Sequence, residues 1–108
     1  MHSDQSKRIA ELNDTHRRTR ARCVVTPGVQ ALGQESMSAV LGLVAQFDAF
    51  TPDNDPYGEH DFGIVEYGGE RVFWKIDYYN ADLEYHSPDP ADPVVTRRVL
   101  TVLLAREY

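Results

Sequence analysis

The 108-residue chain is 42% hydrophobic and 26% charged, with 7 Gly, 6 Pro, 1 Cys and a formal net charge of -6. That length supports one core and one domain, residues 1–108, and the aromatic content excludes an intrinsically disordered polypeptide. No apolar run approaches the roughly 18 residues that span a bilayer and no signal-peptide core opens the chain. A cytoplasmic protein with no membrane partner is expected, and lone Cys23 excludes a disulfide framework or a zinc site built on several thiolates.

Residues 6–20 predict a first helix, with Ile9, Leu12 and His16 at helical spacing and Arg17, Arg18, Arg20 and Arg22 at the end where cations complement the helix dipole. Arg22 to Thr26 predict a short strand ended by a Pro27-Gly28 turn, in which Cys23 is a small buried hydrophobe. Residues 35–49 carry the clearest amphipathic pattern: Met37, Val40, Leu41, Val44 and Phe47 form one helical stripe. The stretch from Thr51 to Asp61 mixes Pro52, Pro56 and Gly58 with four carboxylates and predicts an irregular loop.

From Phe62 to Tyr79 the hydrophobic period is two, interrupted by Gly68-Gly69, which predicts a β-hairpin. Its register places Glu66 opposite Arg71, Val65 opposite Val72, Ile64 opposite Phe73, Gly63 opposite Trp74 and Phe62 opposite Lys75. Val72, Trp74, Ile76 and Tyr78 then face the core, while Arg71, Phe73, Lys75, Asp77 and Tyr79 share a partly polar face. Asn80-Ala81-Asp82 predicts a turn into a third strand at Leu83 to His86. Asp92 as an N-cap and Pro93 in the first turn predict a last helix over residues 93–106, with Val95, Val99, Val102 and Leu103 as its main stripe. The expected architecture is α+β: an antiparallel three- to four-stranded sheet with two or three helices packed mainly on one face.

Three strings, running from Phe50 to Gly63, from Val72 to Tyr79 and from Ser87 to Pro93, resemble a family of small bacterial proteins catalogued only as a domain of unknown function. The resemblance extends from about Ile9 to Tyr108. It implies a compact bacterial domain often encoded near plasmid or other mobile-element genes, and it brings no activity, ligand or site residue.

Charge is unevenly distributed. Residues 1–22 carry six Lys/Arg against three Asp/Glu, whereas residues 48–92 carry twelve Asp/Glu against Arg71 and Lys75, a net of -10. An acidic surface of this kind steers toward a cationic partner and repels a polyanion. The expected function is therefore a non-enzymatic acidic protein-binding module. It would be an inhibitor carried by a mobile element, acting on the basic surface of nucleic-acid-handling defence machinery of the restriction or CRISPR type. Carboxylates would there occupy side chains meant for phosphates. Asp53, Asp55, Tyr57, Glu59, His60, Asp77 and Tyr79 are the expected partner-binding residues, because Tyr joins a large apolar body to a polar tip and suits interface hot spots. Direct nucleic-acid binding is not expected; an uncovered sheet edge or the apolar C-terminal helix offers a surface for a homodimer.

The alternative is a small divalent-metal-dependent hydrolase using Asp53, Asp55, Glu59, His60 and Asp77. Its motifs are incomplete. Aligned as a calcium-binding loop from Asp53, the chain places Ile64 where the closing Glu belongs, and His60 lacks a second His at helical spacing. No phosphate-cradling glycine loop or nucleophile elbow occurs, and no catalytic residue, cofactor or metal is expected.

Overall fold

The computed structural model describes residues 2–108. Helix α1, Asp4–Thr19, starts where the Ser3 hydroxyl accepts the Ser6 N–H at 3.1 Å and ends at Arg20, whose φ of 55° is a left-handed cap. Its buried positions are Ile9, Ala10, Asn13 and Arg17. The thin apolar stripe is thus completed by two polar residues, while Leu12 and His16 are only half-buried. Arg17 does not join the solvated cations at the helix end: it is 1% exposed.

Strand β1, Cys23–Val25, leads into a one-turn helix α2, Pro27–Gln30, where the missing N–H of proline falls in the first turn. Helix α3, Gln34–Gln46, stops short of residue 49 because Phe47 leaves helical geometry at ψ 129°. The acidic loop follows and contains no helix or strand. Strands β2, Phe62–Tyr67, and β3, Glu70–Tyr79, pair in the register expected from the sequence, Gly63 opposite Trp74 included. Gly63 is required there: a Cβ on it would lie 2.5 Å from Trp74 Nε1.

Two expected elements are replaced. No helix spans residues 93–106; Arg97–Leu104 is strand β4, antiparallel to β3 with Trp74 opposite Val102. The run of Val and Leu, apolar nearly all round as a helix, suits a strand flanked on both sides, and its Val and Thr residues favour extended backbone. The third strand at 83–86 is absent apart from an isolated bridge between Tyr79 and His86. Asn80 Oδ1 accepts the N–H groups of Glu84 and Tyr85 at 3.0 and 3.3 Å, so a side chain takes amides that a ladder would need.

The sheet has the order β1-β4-β3-β2 and is mixed, because β1 runs parallel to β4. A parallel pair needs a long crossover and leaves no local turn signal. Ile9, Val29, Val40 and Val44 from the helices join Val65, Val72, Trp74, Ile76, Tyr78, Leu100, Val102 and Leu104 in one hydrophobic cluster. These strand residues alternate, as a sheet buried on one face requires. Among the described residues, no helix is long and apolar enough to cross a membrane.

Candidate protein-binding surface

The acidic loop is folded by its own side chains. Thr51 and Asn54 exchange hydrogen bonds, the Thr51 N–H to Asn54 Oδ1 at 2.8 Å and the Asn54 N–H to Thr51 Oγ1 at 3.3 Å. Asp55 is 6% exposed and accepts the His60 N–H at 3.2 Å. The His60 ring lies parallel to Phe50 with centroids 3.8 Å apart, its Nδ1 is 3.0 Å from Asp14 Oδ1, and its Nε2 is 3.7 Å from Asp55 Oδ2. These contacts hold His60 at a φ of 56°. Asp14 also accepts from Arg17 Nη2 at 2.6 Å, and the Arg17 guanidinium lies 4.6 Å over the Trp74 ring.

A second chain of hydrogen bonds anchors Glu59. Asn13 Nδ2 donates to the Glu59 carbonyl and to the Tyr78 hydroxyl, both at 2.9 Å. The Tyr78 hydroxyl donates to Glu59 Oε1 at 3.0 Å, and Arg98 Nε donates to Asn13 Oδ1 at 2.7 Å. Burial holds the Tyr78 phenol well above its ordinary range. Partial burial, followed by the Glu59 carboxylate, raises Asp61. Asp55, Glu59 and His60 therefore tie the loop to α1 and the core, while Asp53 and Tyr57 remain exposed, Tyr57 at 76%.

Asp77 and Tyr79 lie elsewhere, on the sheet face opposite the hydrophobic cluster. Pairing across the strands aligns Ile64, Phe73 and Leu103 in one row and Phe62, Lys75, Thr101 and Val24 in the next, followed by Asp77 with Val99 and Tyr79 with Arg97. Phe73 is edge-on to Phe62 at 5.6 Å and to Tyr108 at 5.4 Å. Ile64 is 41% exposed and Tyr108 79%. Lys75 and Asp77, at i and i+2, form a half-exposed ion pair at 3.2 Å. Hairpin parity puts Phe62, Ile64 and Phe73 on this face; Tyr108 reaches it because a 3-10 turn, Ala105–Glu107, redirects the chain after β4.

Sequence reasoning also missed a groove between α1 and the start of β4, with a volume of about 680 Å³. Arg8, Leu12, His16, Arg22, Arg97 and Arg98 are among its walls. These cations lie 90 residues apart at the extremes, Arg8 and Arg98, so no local pattern announces the groove.

The residues of the hydrolase alternative are divided between the two sides of the sheet: Glu59 joins Tyr78 on the core side and Asp77 joins Lys75 on the outer side. Among the described residues, no group of three or more His, Cys, Asp or Glu side chains is placed to hold a metal ion.

Residues 25–107 match the family described as "Protein of unknown function (DUF3768)", and the chain belongs to that family. No curated protein and no solved structure matches the chain.

Proposed function

We propose that this member of the DUF3768 family is a non-enzymatic protein-binding module that docks on a basic protein surface. The docking surface would be the outer sheet face together with exposed carboxylates. The observation that carries the proposal is the outer-face aromatic and aliphatic strip of Phe62, Ile64, Phe73 and Tyr108, framed by Asp77 and Tyr79. Such a strip gives an apolar centre with a polar rim, the composition of a protein interface. In this reading the helices lie on the other face of the sheet, as the shared cluster of Ile9, Val29, Val40 and Val44 with Trp74 and Leu100 supports.

Charge selects the partner. Asp48, Asp53, Glu66, Asp82 and Glu84 are exposed, and they belong to the segment with a net of -10. A nucleic-acid-handling protein of the bacterial host, whose Lys and Arg side chains engage phosphates, meets these carboxylates in the same way.

The test is capture from the native host with the wild-type chain, an Ile64→Glu variant and an Asp53→Asn/Asp82→Asn/Glu84→Gln variant, followed by association kinetics on the captured protein. Ile64→Glu should abolish capture. The charge variant should slow association and flatten its dependence on salt. Retention of the same partner by Ile64→Glu, association insensitive to ionic strength, or phosphoester turnover lost on adding a chelator would each overturn the proposal.

A further inference from the structure

The sheet ends in two different edges. At β1, three residues long, the Val25 carbonyl already accepts from Gln30 Nε2 at 2.8 Å. Strand β2 is six residues long and pairs only with β3. The Ile76 N–H donates to the Asp61 carbonyl at 2.9 Å. In an antiparallel ladder of that phase the backbone groups of Gly63, Val65 and Tyr67 turn toward β3, and those of Phe62, Ile64 and Glu66 turn away from the sheet. Among the described residues, nothing bonds to these outward N–H and C=O groups. The strand has no Pro, Lys or bulge of the kinds that blunt an exposed edge.

We propose that the β2 edge binds a second copy of this chain, the two β2 strands pairing antiparallel about a two-fold axis at Ile64. Ile64 then faces Ile64 of the second copy, and Phe62 faces its Glu66 at both ends. Each of these pairs exchanges two hydrogen bonds, which satisfies every outward backbone group of both strands. A shift of two residues sets an end of the strand opposite Gly68 or His60, outside β2, and a shift of one puts side chains on the wrong face. The side chains fit the same register. The row of Leu103, Phe73 and Ile64 continues into Ile64, Phe73 and Leu103 of the second copy, so Ile64, 41% exposed, gains an apolar neighbour. Glu66, the one charged residue of β2, meets Phe62 rather than another Glu66, in the row that carries Lys75 of the other copy. The contact is isologous and closes on itself, and both outer faces look the same way, so two strips become one surface. The dimer does not rest on the docking role.

The test is sedimentation equilibrium of the purified full chain over a dilution series, with amide hydrogen exchange at the same concentrations. A monomer–dimer equilibrium should appear. The Phe62, Ile64 and Glu66 amides should gain protection as concentration rises, while Gly63, Val65 and Tyr67 stay protected throughout. A sample mixing labelled and unlabelled chains should show an interchain contact between the Hα atoms of Gly63 and Val65, which this register sets opposite each other. Because each copy carries -6, added salt should tighten the dimer, whereas it weakens docking on a basic partner. Glu66→Pro removes an outward N–H and leaves the β2–β3 ladder intact, so it should weaken the dimer at least about tenfold through the two hydrogen bonds lost. Glu66→Gln should dimerise at least as tightly as the wild type. The wild-type exchange pattern decides the matter even if Glu66→Pro fails to fold. A chain that stays monomeric at millimolar concentration, species growing beyond a dimer, or protection of the outward amides that ignores concentration would overturn the proposal. A dimer without the Gly63–Val65 contact, or one that a folded Glu66→Pro chain forms equally well, would do the same.

Discussion

Trp74 is fully buried, with the Arg17 guanidinium on its face, Phe47 and Phe50 against it at 5.6 and 6.1 Å, and Gly63 beside its Nε1. Trp74→Ala removes the largest fully buried side chain and strips Arg17 of its aromatic partner, so it should destabilise the fold by about 3–5 kcal/mol in urea denaturation. Gly63→Ala forces a methyl group against the indole and should cost about 1–3 kcal/mol. Replacing the indole by the smaller ring in a Gly63→Ala/Trp74→Phe chain should cost less than the two single changes summed. Strict additivity would show that the two residues do not share one slot. Arg17 is the residue that periodicity misassigned. Its guanidinium donates to the Val44 and Phe47 carbonyls at 2.7 and 3.0 Å, satisfying the end of α3, and that role depends on a partner 27 residues away.

At the scale of elements, the C-terminal 3-10 turn is fastened to the start of α2 by one carboxylate. Glu107 accepts from Thr26 Oγ1 at 2.6 Å, from the Leu104 N–H at 2.9 Å and from the Gly28 N–H at 3.0 Å. The Thr26 hydrogen bond, then the Leu104 amide, holds the Glu107 carboxyl below its ordinary value of 4.5. The folded state therefore favours the ionised form. Its contribution is complete above the ordinary value and disappears as pH falls through the lower, folded value. The difference in melting temperature between wild type and Glu107→Gln should thus be largest near neutrality and shrink in acid; a difference that grows in acid would contradict this assignment. A Cβ at Gly28 would lie 2.5 Å from the Glu107 carboxylate, so Gly28→Ala should displace it and remove the same pH dependence.

Across the whole molecule, stability concentrates in the middle of the sheet. β4 is paired on both sides, by β1 and β3, and β3 by β4 and β2, whereas residues 80–96 contain no helix or strand. Amide hydrogen exchange should be slowest at Trp74, Ile76, Leu100 and Val102 and fastest between Ala81 and Val94. Comparable protection in both regions would deny the central role of β4. The outer face and the α1 groove sit at opposite chemical extremes, one aromatic and rimmed by carboxylates, the other lined by arginines. One domain of this size can carry both because the strand residues of its hydrophobic cluster alternate along the sheet, leaving the intervening side chains to the other face.

The sequence alone determined what depends on neighbours: the α1 and α3 helices, the hairpin with its register, the buried Trp74 opposite Gly63, and the acidic bias of residues 48–92. Periodicity, a two-glycine turn and charge counts act over a few residues and survive reading in one dimension. Tertiary structure decided the rest. Residues 97–104 became a strand because β1 and β3 offered it hydrogen bonds on both edges, which outweighs a pattern compatible with helix. Asp55, Glu59 and His60 were drawn to Asp14, Tyr78 and Asn13, leaving Asp53 and Tyr57 outside, because a half-buried polar group must find a partner wherever the fold supplies one. The groove beside α1 draws its walls from both ends of the chain because a parallel pairing brings β1 beside β4, and no stretch of sequence records that proximity.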